Sequence, residues 1–436
     1  MHDWPKPRRA PRPKNRFLLA PCMAKILVAL CAGGGLSCSH DDIPPHQEFQ
    51  EPRVPLREVR VLVASDAARV RLRFSGTVSV LDDSSRTLAS MSATHWVVAA
   101  ASGPSGMAVG ERTFSAAGIT LVPPDGATVL LSVPANDGWS RGRPYPGSLR
   151  IVVLDAQRLN VINLVDVETY VACVVACEVW PTFESEAYRA QAVATRTYVL
   201  YEMLHRQRAD WDVVATQNSQ VYQGVRSDAP GRRAAGATRV TRGLVSTCCG
   251  EEGAALFPTY YSSVCGGTSQ AASIFGPQNE IEALAGGVRC EHCSIAPSGT
   301  YRWGPVRISM EEVRSKLVQR YPELDALGQI AAVSATEVQE ADGAPRIITV
   351  RIAGTEGRTH DMLAEQFRLA LGPMQVKSTA CRMRTEGDEL VFEDGRGFGH
   401  GLGLCQWGMQ AQALAGKGAG EILRYYYPGS RLTRVY

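Results

Sequence analysis

The chain has 436 residues, 45% of them hydrophobic and 20% charged, with a formal net charge of +3 at neutral pH. That length carries two or three ordinary domain cores, and that composition excludes a disordered or low-complexity protein. With so small a charge, and no extended basic run after the first sixteen residues, nothing argues for nucleic acid as a partner.

Lys6, Arg8, Arg9, Arg12, Lys14 and Arg16 precede an apolar run from Phe17 to Cys31 and a small-residue stretch from Ala32 to Ser37. Positive, then apolar, then small is the order of a secretory signal. Residues 1–38 are therefore expected to direct export, to the periplasm or cell envelope. Met23, closely followed by Lys25, offers an alternative start and a shorter signal. Cys38 follows Gly35, Leu36 and Ser37 and is a candidate for lipid attachment to a membrane. No later segment has eighteen consecutive apolar residues. Residues 39–56 are polar and proline-containing and read as a tether.

From 57 to 160 the pattern is that of a β-rich domain. VRVLVA, ARVRLRFSG, TVSVLD, THWVVAAA, TVLLSV and SLRIVVLD are separated by Gly, Pro, Asp and Asn clusters. Helical spacing takes over after Asn163 and opens a mixed α/β region over 161–436, so the fold class is α+β. One helix is expected from Val165 to Glu178, stopped by Pro181. A second, from about Glu184 to Arg206, carries Ala187, Ala190, Gln191, Ala194, Tyr198 and Tyr201 on one stripe. Residues 214–305 read as short strands and glycine-rich turns. Ser309 stands three residues before Glu312, a capping-box spacing, and predicts a helix over Met310–Gln319. ITVRIAG and LVFEDG read as strands, and a last helix is expected from Met409 to Ala415, before Gly416.

Glu178 ends the first helix among Val, Cys and Trp residues. A carboxyl group there is poorly solvated, which raises its pKa and suits it to hold a proton as a general acid. Glu184 and Glu186 are further carboxylates, but the first turn of a helix already accounts for them. Gln191 is polar within an apolar stripe, so it serves either a structural hydrogen bond or a substrate contact. Arg196, off the stripe, reads as a salt-bridge residue. Glycines at 395, 397, 399, 401 and 403 bare the backbone around His400 and Gln406. They form either a ligand-approaching loop or a tight strand-to-helix turn, and no dinucleotide or P-loop spacing is present.

Of twelve cysteines, Cys22, Cys31 and Cys38 fall in the targeting region and nine remain, an odd number that cannot all pair within one exported chain. Cys290 and Cys293 have the C-x-x-C spacing of metal ligands, and Cys265 is a third candidate. Structural zinc and a disulfide both fit that pattern. The fourth ligand is left among His292, Cys249 and another group. Cys173 and Cys177, one helical turn apart, read as small buried hydrophobes.

Three separated blocks resemble one family. They are YVACVVACEVW with EAYRAQAVATRTY, DVVATQNSQVYQG, and GHGLGLCQWGMQAQALAGKG with EILRYYYPG. The chain from about 55 to 436 is similar in these blocks to the SpoIID/LytB family, which acts on bacterial peptidoglycan. The resemblance implies a SpoIID-like fold and a lytic transglycosylase that cleaves the MurNAc–GlcNAc bond of peptide-free glycan strands. Such cleavage leaves 1,6-anhydromuramyl ends. The family's essential acid falls on Glu178, with Trp180, Gln191, His400, Gln406 and Trp407 as substrate-binding candidates and no cofactor needed for catalysis. Some sporulation members bind zinc near the cysteine region. The LytB branch implies the alternative, a non-catalytic glycan-binding enhancer of a cell-wall amidase, with Trp180, Tyr188 and Trp407 stacking on sugars. Two departures from the common pattern stand out: Cys265 replaces a frequent Ser before the double glycine, and Cys177 abuts the acid.

Overall fold

Strict alternation of buried and solvent-facing residues along Arg69–Phe74 and Ser148–Val153 marks strands with one face in a core. The computed structural model describes residues 58–135, 138–205, 210–250, 253–340 and 345–436. The expected signal, tether and lipid-bearing Cys38 lie outside these residues. The N-terminal strands form two sheets. A seven-stranded sheet runs in the order 213–214, 59–67, 159–165, 148–153, 118–122, 78–81 and 87–91. A six-stranded sheet runs in the order 143–145, 129–132, 69–74, 97–101, 107–109 and 112–114. Val70, Leu72 and Phe74 from one sheet and Val80, Ile119 and Ile151 from the other join a single apolar core.

That core continues without a break into the helices. Residue 160 lies inside the strand Leu159–Val165, which pairs antiparallel with Val59–Ala67. The latter also pairs in parallel with Val213–Val214, from beyond the second helix. Helix α1 (Val167–Glu178) is capped by Asp166, whose carboxylate accepts the Thr169 N–H at 3.0 Å. Helix α2 (Ser185–His205) buries nearly its whole circumference. Arg196 of α2 has no exposed surface. It donates twice to Glu168 of α1, at 2.8 and 2.6 Å, as its off-stripe position implied. Glu168 also accepts the hydroxyl of Tyr436, so the C-terminus joins the same buried knot.

Helix α3 (Ala229–Val240) is a helix where only strands and turns were expected. Its buried stripe is Gly231, Ala234, Ala237 and Thr238, too small in side-chain volume to announce a core face, while its arginines face outward. Helix α4 (Met310–Arg320) starts at Ser309, whose hydroxyl accepts the Glu312 N–H as the spacing predicts. With helix α5 (Ala364–Leu371) it packs into a second core, which includes Trp303, Ile308, Leu317, Val350, Phe367 and Phe392. The sequence pattern did not separate this lobe. Helix α6 (Gln406–Leu414) begins three residues earlier than expected, and helix α7 (Ala419–Tyr426) follows it.

Candidate active site and cysteine centre

Glu178 is the last residue of α1, because Val179 turns extended ahead of Pro181. The turn that follows is braced from α3, where Arg233 donates to the carbonyls of Pro181 and Phe183 and stacks over Tyr188 at 4.6 Å. Opposite Glu178 runs a short parallel pair, Tyr261–Ser262 with Leu404–Cys405. It delivers Tyr261 and Gln406 to the carboxylate from segments more than eighty residues away.

The half-buried carboxylate accepts the backbone N–H of Val221 through Oε1 at 2.8 Å. Burial raises its pKa; hydrogen bonding from Val221, Tyr261 and Gln406 opposes that without cancelling it. None of these groups is a second carboxylate. The side chain of Glu186 is held by Arg189 and by the Ala419 N–H, which gives it a structural task at the α7 N-terminus. The backbone N–H of Glu184 donates to Gln410 Oε1 at 2.7 Å, while its side chain is exposed.

Gln191 is completely buried. It bonds Thr195 at 3.4 Å and accepts from Gln406 Nε2 at 3.3 Å, which places it behind the site as a support. Gln406 Nε2 also donates to the Glu178 carbonyl at 3.3 Å. Trp180, half exposed, lies 5.8 Å from the Trp407 ring, and Phe183 meets Trp407 edge-on at 5.0 Å. Beside the acid stands an aromatic step able to stack on a sugar face. Tyr188 is not part of it: only 1% exposed, it is covered by Arg233.

The structure adds residues that the sequence left unmarked. Tyr261 is half-buried, with its hydroxyl enclosed and lacking a hydrogen bond of good geometry, and its phenol is pushed up by burial and by the facing Glu178. Gln220 accepts the Tyr170 hydroxyl at 3.0 Å but leaves its own Nε2 unpartnered. Nε1 of Trp407, a residue the sequence did mark, is also without a partner. Gln220 lies within a resembling block, but Tyr261 lies outside all three and carried no sequence signal.

The glycine-rich loop is a strand-to-helix crossover. Its N–H groups bond inward: Phe398 to Val264, Gly399 to Lys377, Leu404 to Tyr260 and Trp407 to Ser263. Gly403 has φ +59°, and a Cβ there would stand 2.2 Å from the Tyr260 carbonyl. His400 accepts the Leu402 N–H on Nδ1 at 3.0 Å, and burial lowers its pKa to about 4. The ring stands edge-on to Tyr260 and senses Glu365, Arg368 and Arg346 across the second lobe.

Cys265, Cys290, Cys293 and Cys405 are buried with their sulfurs all within 4.8 Å of one another. All four are free thiols in this structure. A tetrahedron with metal–sulfur bonds of about 2.3 Å has sulfur–sulfur edges of about 3.8 Å. Cys265 and Cys293 stand 3.8 Å apart. The fourth member is Cys405 instead of His292. The Cys265 N–H donates to the Cys405 sulfur at 3.3 Å. Hydrogen bonding from Cys265, Cys293 and Cys405 holds the Cys290 thiol far below its ordinary range. Arg346, 3% exposed, lies against the cluster with Nη2 on the Cys265 carbonyl at 2.6 Å and Nη1 unpartnered. A buried cation beside four sulfurs suits a centre of negative charge. Four thiols with no open position fit a structural metal. Cys173 is a buried thiol pushed up to about 12, as a small hydrophobe should be.

Residues 155–247 match the family model described as stage II sporulation protein. The chain is 26% identical over 321 residues to stage II sporulation protein D of Bacillus subtilis, covering 71% of this chain and 85% of that protein. It is 29% identical over 298 residues to an uncharacterised protein of Brachyspira hyodysenteriae, covering 67% of this chain and 73% of that one. A shorter stretch of 68 residues is 37% identical to the amidase enhancer of Bacillus subtilis, covering 16% of this chain and 10% of the relative.

Proposed function

We infer that this chain is a member of the SpoIID/LytB family with a cell-wall-related function, and on that premise that it is an exported lytic transglycosylase acting on peptide-free peptidoglycan strands. The observation that carries the proposal is the half-buried acid Glu178, its pKa raised by burial, set beside an aromatic step with no second carboxylate among the groups that set its pKa. A hydrolase that activates water ordinarily needs such a partner. An internal nucleophile removes the need. Protonated Glu178 donates to the glycosidic oxygen as the bond from the muramyl anomeric carbon breaks. The muramyl 6-hydroxyl then attacks that carbon and returns its proton to the carboxylate. The products are a 1,6-anhydromuramyl end and a free GlcNAc hydroxyl, and the enzyme is regenerated.

Val221 fixes one carboxylate oxygen, leaving the other for the proton. Trp180 and Trp407 supply the stacking surface, and Gln406 supports the helix end that carries the acid. The cysteine cluster is assigned a structural zinc, held by Cys265, Cys290, Cys293 and Cys405. Since Cys405 immediately precedes Gln406, the metal would anchor the loop that presents Gln406 and Trp407.

The test is mass spectrometry of products released from amidase-treated glycan by wild type and by Glu178→Gln. Anhydromuramyl ends from wild type alone support the proposal. Reducing ends would replace it with hydrolysis. Binding without cleavage would favour the amidase-enhancer reading, which the similarity to the Bacillus subtilis amidase enhancer motivates.

A further inference from the structure

The six-stranded sheet has an unusual charge content. Its strands read RTF, MAV, VVAAA, RVRLRF, VLLS and RPY, with five arginines and no acidic residue. Arg69, Arg71 and Arg73 alternate with the core residues Val70, Leu72 and Phe74, so all three project from the face opposite the core. Their cross-strand neighbours on that face are Ala100, Val98, Ser132 and Leu130, none able to pair with a guanidinium charge. Several other arginines are ion-paired, among them Arg60 with Asp212, Arg196 with Glu168 and Arg351 with Asp361.

Two tryptophans complete the face. Trp139 lies under Arg71 at 4.2 Å and Arg69 at 5.4 Å, and Trp96 lies under Arg73 at 5.2 Å. The outer edge of the Trp96 ring packs against the backbone at Gly142, where a Cβ would come within 2.4 Å of it. Successive arginines on one face of a strand stand roughly 6.7 Å apart. The result is a row of cations interleaved with indole rings on rigid strands, none of it used by the chemistry at Glu178.

We propose that this arginine–tryptophan face is a second binding surface for a linear glycan that carries carboxylates at regular intervals. It rests on the reading of the Glu178 site as one for peptide-free strands, because hydrolysis of the lactyl–peptide amide leaves a carboxylate on every muramyl sugar. Guanidinium groups pair with carboxylates in forked geometry, and indole rings stack on sugar faces. A membrane surface is the poorer match, because the face offers no large aliphatic side chains for insertion beyond Val98 and Leu130. The surface adds a second hold on the polymer, which favours long strands over short fragments.

The experiment measures binding in the Glu178→Gln background, where the polymer stays whole if Glu178 is the acid. Three probes are used: long peptide-free glycan, the same glycan with its carboxylates methyl-esterified, and phosphatidylglycerol vesicles. The combined substitution Arg69→Gln, Arg71→Gln and Arg73→Gln is expected to weaken binding of the long glycan roughly tenfold, as for three exposed ion contacts of modest strength. Esterifying the glycan should cause a similar loss with the arginines intact, a result that no folding defect can imitate. Unchanged glycan binding after both perturbations, or binding of vesicles and not of glycan, overturns the proposal. The two ideas fail separately: absence of anhydromuramyl products from wild type sinks the reaction at Glu178 and leaves this binding result standing.

Discussion

Gln406→Met separates the support of the acid from the acid itself. Gln406 is 5% exposed, and its Nε2 donates to the Glu178 carbonyl and to Gln191 Oε1, both at 3.3 Å. Methionine matches its volume and removes both bonds. The two bonds are long, and each is worth about 0.5–1.5 kcal/mol net. Gln191 has no exposed surface, so its oxygen finds no water in place of Gln406, and an orphaned buried acceptor costs about 1–3 kcal/mol. A loss of about 2–3 kcal/mol is therefore expected from urea unfolding followed by fluorescence. The second readout is the pH–rate profile for anhydromuramyl release. Gln406 favours the charged form of Glu178, so its removal raises the acid's pKa further. The alkaline limb, where the acid loses its proton, should move to higher pH. A variant whose limb moves to lower pH, or that loses less than about 0.5 kcal/mol, would refute the assigned support.

Glu178→Gln should stop product release yet make the folded protein more stable near neutral pH. Because the folded pKa of Glu178 is raised, the wild type loses stability as pH rises through the unfolded carboxylate value, up to the folded one. The gain from Gln should thus vanish in acid, and equal unfolding midpoints for both proteins at pH 7 would contradict it. Elemental analysis of protein purified without chelator should find one zinc per chain, and Cys405→Ser should lower its retention and the melting temperature together. Full thermal stability after exhaustive metal removal would exclude the structural assignment. Arg196→Met should cost about 3 kcal/mol in the same urea assay, because it leaves the half-buried Glu168 without its cation. Burial opposes ionisation of Glu168, but the Arg196 guanidinium wins and holds its pKa low. The stability gained from this pair is present above the unfolded carboxylate range and fades as pH falls, so the gap between variant and wild type should narrow in acid.

Local chemistry was legible wherever it is decided within a few residues. The Ser309 cap, the stop before Pro181 and the alternation along the N-terminal strands depend on neighbours in sequence, and they stand where the spacing placed them, whereas the Asp166 cap starts the first helix two residues later than expected. So does an acid with a raised pKa at the end of α1, since its apolar surroundings begin with its own helix. Helix α3 escaped because a stripe of Gly and Ala carries little hydrophobic signal, although close packing against α1 and α2 suits small side chains. Only the tertiary structure joined Cys405 to the other three cysteines and turned Gln191 into a support. It alone brought Tyr261 to Glu178 and assigned the glycines to backbone crossings instead of a ligand. Each of those outcomes depends on a parallel strand pair and a crossover that connect segments far apart in the chain. Residue type and short-range spacing determine what a side chain can do, but its partners are set by which distant backbones approach, and no local pattern encodes that approach.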